Sequence, residues 1–433
     1  MNRRNKHLSL LLALAALTAV ASGQQARFFR TGDGSAFLLV PVESHSVNWV
    51  NLQPSGPREE PAGMQGLGLA IARASLFGSP LPGRAQGDAL GWEKALRSTP
   101  ASGSRIVQIA DRVGIAVTFA EQSLERIARL LRVRTTRANL LGVTQQLNRV
   151  RKTRSQRLRA MPHLGIMRRT LGAFESARPL LTYLAEHSTA PVSPATAQAF
   201  FRRTYSPDRS LNIITGKLRL GDVERQLKAI FELPRSVPPT PIPGTAAATP
   251  TTKARPDAAD TLMLGCPIPA NLGAEALVTL DLLVEYLAGD KHAYLPDHLR
   301  ASGHPNVQVQ ARAPFPAAGG IFLISVTKPG TTLTEDDNLT VHVEQALAKI
   351  ATDKPDAVRL QRAIASLRAA RSATLQQPEG LATLLARRWA RTGTPPVNGL
   401  AEEARVSGTA FRALARRVFT LSGQTLCVPE VGK

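Results

Sequence analysis

The stretch Ser407–Val428 aligns without a gap on Ser193–Ile214, at an offset of 214 (407 − 193). In this register Arg202-Arg203 falls on Arg416-Arg417, Tyr205 on Phe419 and Ile213 on Cys427. Self-similarity at such a long interval means two copies of one domain and excludes a short-repeat solenoid. A chain of 433 residues is long enough to give both copies a full core. The first copy also dictates its local structure. Ser193 followed by Pro194 reads as an N-cap with proline at the first helical position. The helix they start carries Phe200 and Phe201 and stops near Tyr205-Ser206-Pro207. Leu211–Thr215 then reads as a short strand ending at Gly216, and Val223, Leu227 and Ile230 mark one face of a second helix.

Elsewhere the pattern alternates between strand and helix. Ala36–Val40 and Ser46–Leu52 are apolar runs expected to be strands around a short turn. Ile115–Phe119 is expected to be a further strand, set off by Asp111-Arg112 and Gly114. Leu124–Arg159 reads as one long, densely basic helical region with Ile127, Leu130, Leu131 and Leu140 as its apolar positions. Residues 234–259 are rich in Pro, Thr and Ala and read as a linker. The expected organisation is a leader at 1–23, a first domain at 24–233, the linker, and a second domain at 260–433. The fold class is α+β: two homologous αβ domains, each an antiparallel sheet backed by helices.

The leader has the form of a secretory signal peptide. Arg3, Arg4 and Lys6 precede the apolar run Leu8–Val20 and small residues around Ala19–Gly23. That run is short for a membrane span, and no longer apolar run follows. The mature chain is therefore expected in the periplasm or outside the cell, without a transmembrane segment. Export permits a disulfide; Cys266 and Cys427, both in strand-like contexts, are either bridged or buried free thiols. The net charge is +22. It reads either as attraction to polyanions or as Arg-rich solvated helix faces. Aromatics are scarce and no finger motif occurs, so nucleic-acid binding is not expected. No G-x-S-x-G is present to support a serine nucleophile.

Gly66–Ser79 reads GLGLAIARASLFGS. It resembles, without a gap, the metal-binding helix of the insulinase/pitrilysin-like metallopeptidases, which runs G-L-x-H-x-x-E-H-x-x-x-x-G-S. Gly66, Leu67, Gly78 and Ser79 keep the frame, while Leu69, Ala72 and Arg73 stand at the first His, the Glu and the second His. In such a motif two His on one helix face grip zinc and the Glu acts as base. Leu and Ala have no donor, and guanidinium stays protonated. The resemblance places the third ligand, a Glu, about seventy-five residues on, near Arg149 and Val150. No Asp or Glu occurs from Arg126 to Phe174. The passage Phe200, Tyr205, Pro207, Gly216 and Phe231 is similar to a second, non-catalytic stretch of the same family, with Asn212 at a position usually Leu.

The resemblance implies two further features in the second half. The family pairs an L-R with a Tyr about seven residues on, and the pair holds substrate and the developing oxyanion. Here Arg300 matches and Val307 replaces the Tyr. Arg300 is thus the candidate substrate-binding residue, able to pin a peptide carbonyl or carboxylate, or else a surface or capping Arg. His292, His298 and His304, with Asp290 and Asp297, read as a polar helix and loop interrupted at Pro296, or as a replacement metal site. The resulting expectation is an exported pseudopeptidase with no catalytic residue, metal or cofactor. It would act as the structural or substrate-binding partner of an active insulinase-like subunit, in a heterodimer. The alternatives are a stand-alone envelope module that binds peptides or polyanions, and an active metallopeptidase with unfamiliar ligands.

Overall fold

The computed structural model describes residues 26–61, 63–77, 103–109, 111–136, 140, 142–160, 164–172, 174, 192–232, 260–269, 272–314, 320–331, 333, 338–377, 379–397, 406–419 and 425–427. The leader, the linker at 234–259 and the motif's Gly78 and Ser79 lie outside the described residues. The chain forms two compact units. The first comprises Met1–Ser155, His187–Thr249 and Ser372–Ala401; the second comprises Gln156–Glu186, Pro250–Arg371 and Glu402–Lys433. Their limits differ from the contiguous expectation, because each takes in a helix from the other half of the chain. An amphipathic helix announces an apolar face in its sequence but not which sheet will cover it.

The first unit is built on six strands: β1 (Arg27–Arg30), β2 (Ala36–Pro41), β3 (Val47–Gln53), β4 (Gly103–Ile109), β5 (Arg112–Phe119) and β6 (Leu211–Gly216). Their order is β1-β2-β6-β3-β5-β4. All pairs are antiparallel except β2 with β6, so this sheet is mixed where a purely antiparallel one was expected. Strands so far apart in sequence have room for the crossover that parallel pairing needs. Asp111 lies in the turn between β4 and β5, but Gly114 is a strand residue and not a breaker. A Cβ on Gly114 would stand 1.8 Å from the Asn51 carbonyl oxygen of β3, an approach only glycine allows.

Six helices flank this sheet: α1 (Leu67–Phe77), α2 (Leu124–Thr136), α3 (Val143–Arg159), α5 (Pro194–Thr204), α6 (Leu220–Ile230) and α11 (Gly380–Thr392). The expected single basic helix at 124–159 is therefore two, α2 and α3. One sheet face (Leu38, Val50, Leu52 and Ile213 among others) is covered by Ala382, Leu385, Ala386 and Trp389 of α11. On the other face Phe37, Trp49, Val117 and Ile214 pack with Ile127 and Leu131 of α2 and Val223, Leu227 and Ile230 of α6. A third cluster joins Leu67, Ala70, Ile71 and Ala74 of α1 to Leu147 of α3 and Phe200, Phe201 and Tyr205.

The second unit has four antiparallel strands: β7 (Thr261–Ile268), β8 (Gln308–Arg312), β9 (Gly320–Thr327) and β10 (Thr425–Cys427), in the order β10-β7-β9-β8. Its helices are α4 (Leu164–Gly172), α7 (Ala274–Ala288), α8 (Tyr294–Ala301), α9 (Leu339–Thr352), α10 (Ala357–Leu375, which ends in the first unit) and α12 (Gly408–Phe419). Ile166 and Leu171 of α4 are buried, with Leu171 and Phe174 beside Ile321 of β9. Pro296 does not interrupt α8; it sits in its first turn, where the missing N–H has no intrahelical partner to lose.

The internal repeat holds at the level of packing. Helix α12 and strand β10 begin at α5 and β6 shifted by 214 (408 − 194 and 425 − 211). Ala197, Phe200, Phe201, Thr204 and Tyr205 are buried in the first copy. Their counterparts Phe411, Leu414, Ala415, Val418 and Phe419 are all buried in the second. The Ser193 side chain accepts a hydrogen bond from the Thr196 backbone at 3.1 Å, the cap expected from its place before Pro194.

Candidate functional site

Helix α1 is fixed at its start by two features. Gly66 has φ +89°, a conformation L side chains rarely adopt, and a Cβ there would stand 2.7 Å from Val150 Cγ1 of α3. The glycine of the frame thus serves close packing of α1 on α3. The second feature is Glu60, which was not singled out from the sequence. Its carboxylate accepts from the backbone N–H groups of Gly66 (2.8 Å) and Gly68 (3.0 Å), placing negative charge at the positive end of the helix. Burial pushes the carboxyl up to about 7, against the opposing pull of those two amides and of Arg154. Nothing marks such a cap in sequence, because Glu60 reaches over five residues of loop. Arg151 Nη2 donates to the Gly63 carbonyl at 3.1 Å and ties the same loop to α3.

The three motif positions lie on this helix as the resemblance implied. Ala72 is fully buried, while Leu69 and Arg73 are half-buried. Arg73 Nε is enclosed without a hydrogen-bond partner among the described residues. The third-ligand region also lies where it was expected, on α3, with Arg149 exposed and Val150 buried. This donor set does not fit zinc: it offers a methyl, an isobutyl and a permanent cation where imidazoles and a carboxylate are required. Among the described residues no group of three or more His, Cys, Asp or Glu stands close enough to hold a metal ion.

Beneath the helices the first sheet carries a row of buried amides. Trp49 Nε1 (3.1 Å) and Asn51 Nδ2 (2.7 Å) both donate to Asn212 Oδ1. Asn212 Nδ2 in turn donates to the Ala36 carbonyl at 3.2 Å. The departure at Asn212 is therefore a built-in polar clamp between β3, β6 and β2. In sequence it was visible only as an unexplained residue.

In the second unit Arg300 lies on α8 with its side chain 44% exposed. Its Nη1 meets Asp297 Oδ1 at 2.6 Å and its Nη2 donates to the Lys291 carbonyl at 2.9 Å. Asp297 also takes Arg359 Nη2 at 2.8 Å, so one carboxylate orients two guanidiniums. Val307 is partly buried against the core. The histidines split up: His292 is exposed, His298 stacks on Tyr294, and His304 meets His342 edge-on at 5.4 Å between ring centres. Burial, Lys349 and His342 hold His298 below its ordinary range. Cys266 is a buried free thiol, and burial raises it to about 12. Strand register places Cys427 opposite Met263, three residues from Cys266, a separation of roughly 10 Å along a strand that no disulfide spans.

The arrangement of two units, each a sheet flanked by helices, is the fold of M16-like peptidases. Three solved structures carry that comparison. A protease from Helicobacter pylori matches with TM-score 0.71 and 16% identity, covering 93% of this chain and 98% of its own. An M16 peptidase inactive domain from Pseudomonas fluorescens matches with TM-score 0.66 and 14% identity, covering 93% and 97%. An M16-like peptidase from Alicyclobacillus acidocaldarius matches with TM-score 0.62 and 12% identity, covering 93% and 97%. No family model matches the sequence, and no curated protein matches it.

Proposed function

We propose that this chain is an exported pseudopeptidase of the insulinase-like type, the structural or substrate-binding partner of a zinc-bearing subunit. One observation carries the reading: on a helix otherwise packed and capped in full, Leu69, Ala72 and Arg73 occupy the positions where the motif requires ligands and a base. A peptidase fold without its donors retains sheets, helices and surface with which to bind peptide or a second subunit. Arg300, already oriented by Asp297, is the candidate contact for a peptide carbonyl or carboxylate.

The decisive experiment combines metal analysis of the purified chain with co-purification. The expected result is no stoichiometric zinc, no chelator-sensitive peptide cleavage, and co-elution with an exported chain of similar length that bears an intact HxxEH. Stoichiometric zinc with chelator-sensitive cleavage overturns the pseudopeptidase reading. A stable monomer that never co-elutes with such a chain overturns the partner reading and leaves the stand-alone binding module.

A further inference from the structure

Within the second unit lies an open cavity of about 540 Å³, in the range typical of small-molecule sites. Its apolar surface comes from four elements: Met167 and Leu171 of α4, Val284 of α7, Leu323 of β9 and Leu367 of α10. All but Leu171 are only half-buried. Met167 and Leu323 belong to the fringe of one small core cluster, and Leu367 and Val284 to the fringe of the large one. The cavity therefore lies where two cores stop short of each other and leave apolar carbon facing water, an arrangement that an apolar ligand completes.

The polar residues of the wall select the ligand's charge. Asp281 and Glu285 stand one turn apart on the same face of α7, and both line the cavity. Glu285 is held by a hydrogen bond that its Oε1 accepts from Ser366 Oγ of α10. Arg312, also in the wall, is exposed and turned along its own strand, with Nη2 donating to Gln310 Oε1 at 3.2 Å. In a chain of net charge +22 this wall carries more carboxylate than guanidinium. We propose that the cavity binds an amphiphilic amine: an apolar chain against α4, β9 and α10, with its ammonium group at Asp281 and Glu285.

Titration calorimetry on the full chain, with decylammonium, decanol and decanoate below their micelle concentrations, tests this. The expected result is one saturable site, with the amine bound about tenfold or more tighter than the alcohol, as befits a charge-assisted contact, and decanoate weakest. The D281N/E285Q variant brings the amine level with the alcohol and leaves alcohol binding intact. Val284→Trp fills the cavity and abolishes binding of all three; should that variant fail to fold, Leu367→Trp closes the same space from α10. Absence of saturable amine binding to the native chain overturns the proposal. So does equal affinity for the three probes, or amine binding that survives a folded plugging variant.

Discussion

The two units share one plan but differ in what lies under their helices. In the second unit the inward face of the sheet is apolar throughout: Leu262, Leu264, Cys266, Ile268, Phe322, Ile324 and Val326 form one cluster with five of its helices. In the first unit Asn48, Asn51, Gln53 and Asn212 are buried in the sheet. The repeat isolates the difference at one position, where Asn212 of β6 corresponds to Leu426 of β10 (426 − 212 = 214). Duplication preserved the helix–strand packing, and the first copy acquired or kept a hydrogen-bonded interior. Buried polar groups hold a sheet together only when all of them are paired, so the first unit has the more specific and more vulnerable core.

The largest test of that contrast is to separate the units along the sequence. A fragment covering residues 24–249 lacks α11, and with it Ala382, Leu385, Ala386 and Trp389, which cover one face of the first sheet. Exposing that face forfeits about 1.5–3 kcal/mol for each large buried side chain, enough to exhaust a typical domain's stability. The fragment is expected to aggregate or remain unfolded by circular dichroism and size-exclusion chromatography. Fusing residues 372–401 back onto it should restore a cooperative transition. A fragment that melts cooperatively on its own would show the exchanged helix to be dispensable.

Asn212→Leu comes next, since it makes the first sheet resemble the second at the diagnostic position. It removes the acceptor of both Trp49 Nε1 and Asn51 Nδ2. Each buried donor left unpaired costs about 1–3 kcal/mol, so a loss of several kcal/mol is expected in denaturant melts. Asn212→Asp keeps the acceptor and should lose less near neutral pH than Leu does. Equal losses for the two would mean that packing at this position, not the amide clamp, is what matters.

The repeat, the strands β2 and β3, the Ser193 cap and the motif helix were legible in sequence because each rests on local periodicity or on residues at fixed short spacing. The rest was not, and the reasons are physical. Whether α4 and α11 cover their own sheet or the other depends on long-range packing, which amphipathic periodicity does not encode. The parallel pairing of β2 with β6 joins residues some 175 positions apart (211 − 36). Glu60 caps α1 from outside the helix, and a loop carboxylate has no spacing rule for such a contact. At the candidate site the identities of Leu69, Ala72 and Arg73 were readable at once. Arg300 was readable as a residue, but its fixation by Asp297, itself shared with Arg359, appears only in three dimensions.

Titration separates the units next. Glu60 holds its proton up to about 7 in the fold and would release it near 4.5 unfolded. The native state thus retains a proton that the unfolded state has lost, and stability falls as pH rises through that window, by about 3 kcal/mol at most. Glu60→Gln removes the titration along with one acceptor. The difference in melting temperature between variant and parent should therefore shift in favour of the variant from pH 5 to pH 8, whatever its constant offset. A difference that does not vary with pH would mean that the carboxylate is ionised in both states throughout.

The smallest effect has the opposite sign and belongs to the second unit. His298, on α8, faces Lys349 and His342 of α9 and stacks on Tyr294; burial first, then those two neighbours, hold it below 6.5. The unfolded chain therefore takes up a proton that the native state resists, and the stability tied to the neutral ring is lost as pH falls below 6.5. His298→Gln should blunt acid destabilisation below pH 6.5 and leave the alkaline limb unchanged, an effect weaker than that of Glu60 because the ring remains partly open to solvent. Proton NMR titration of the ring checks it directly. A His298 that titrates at or above 6.5 would assign the acid sensitivity to the rest of the chain, and the two units would no longer respond to pH in opposite directions.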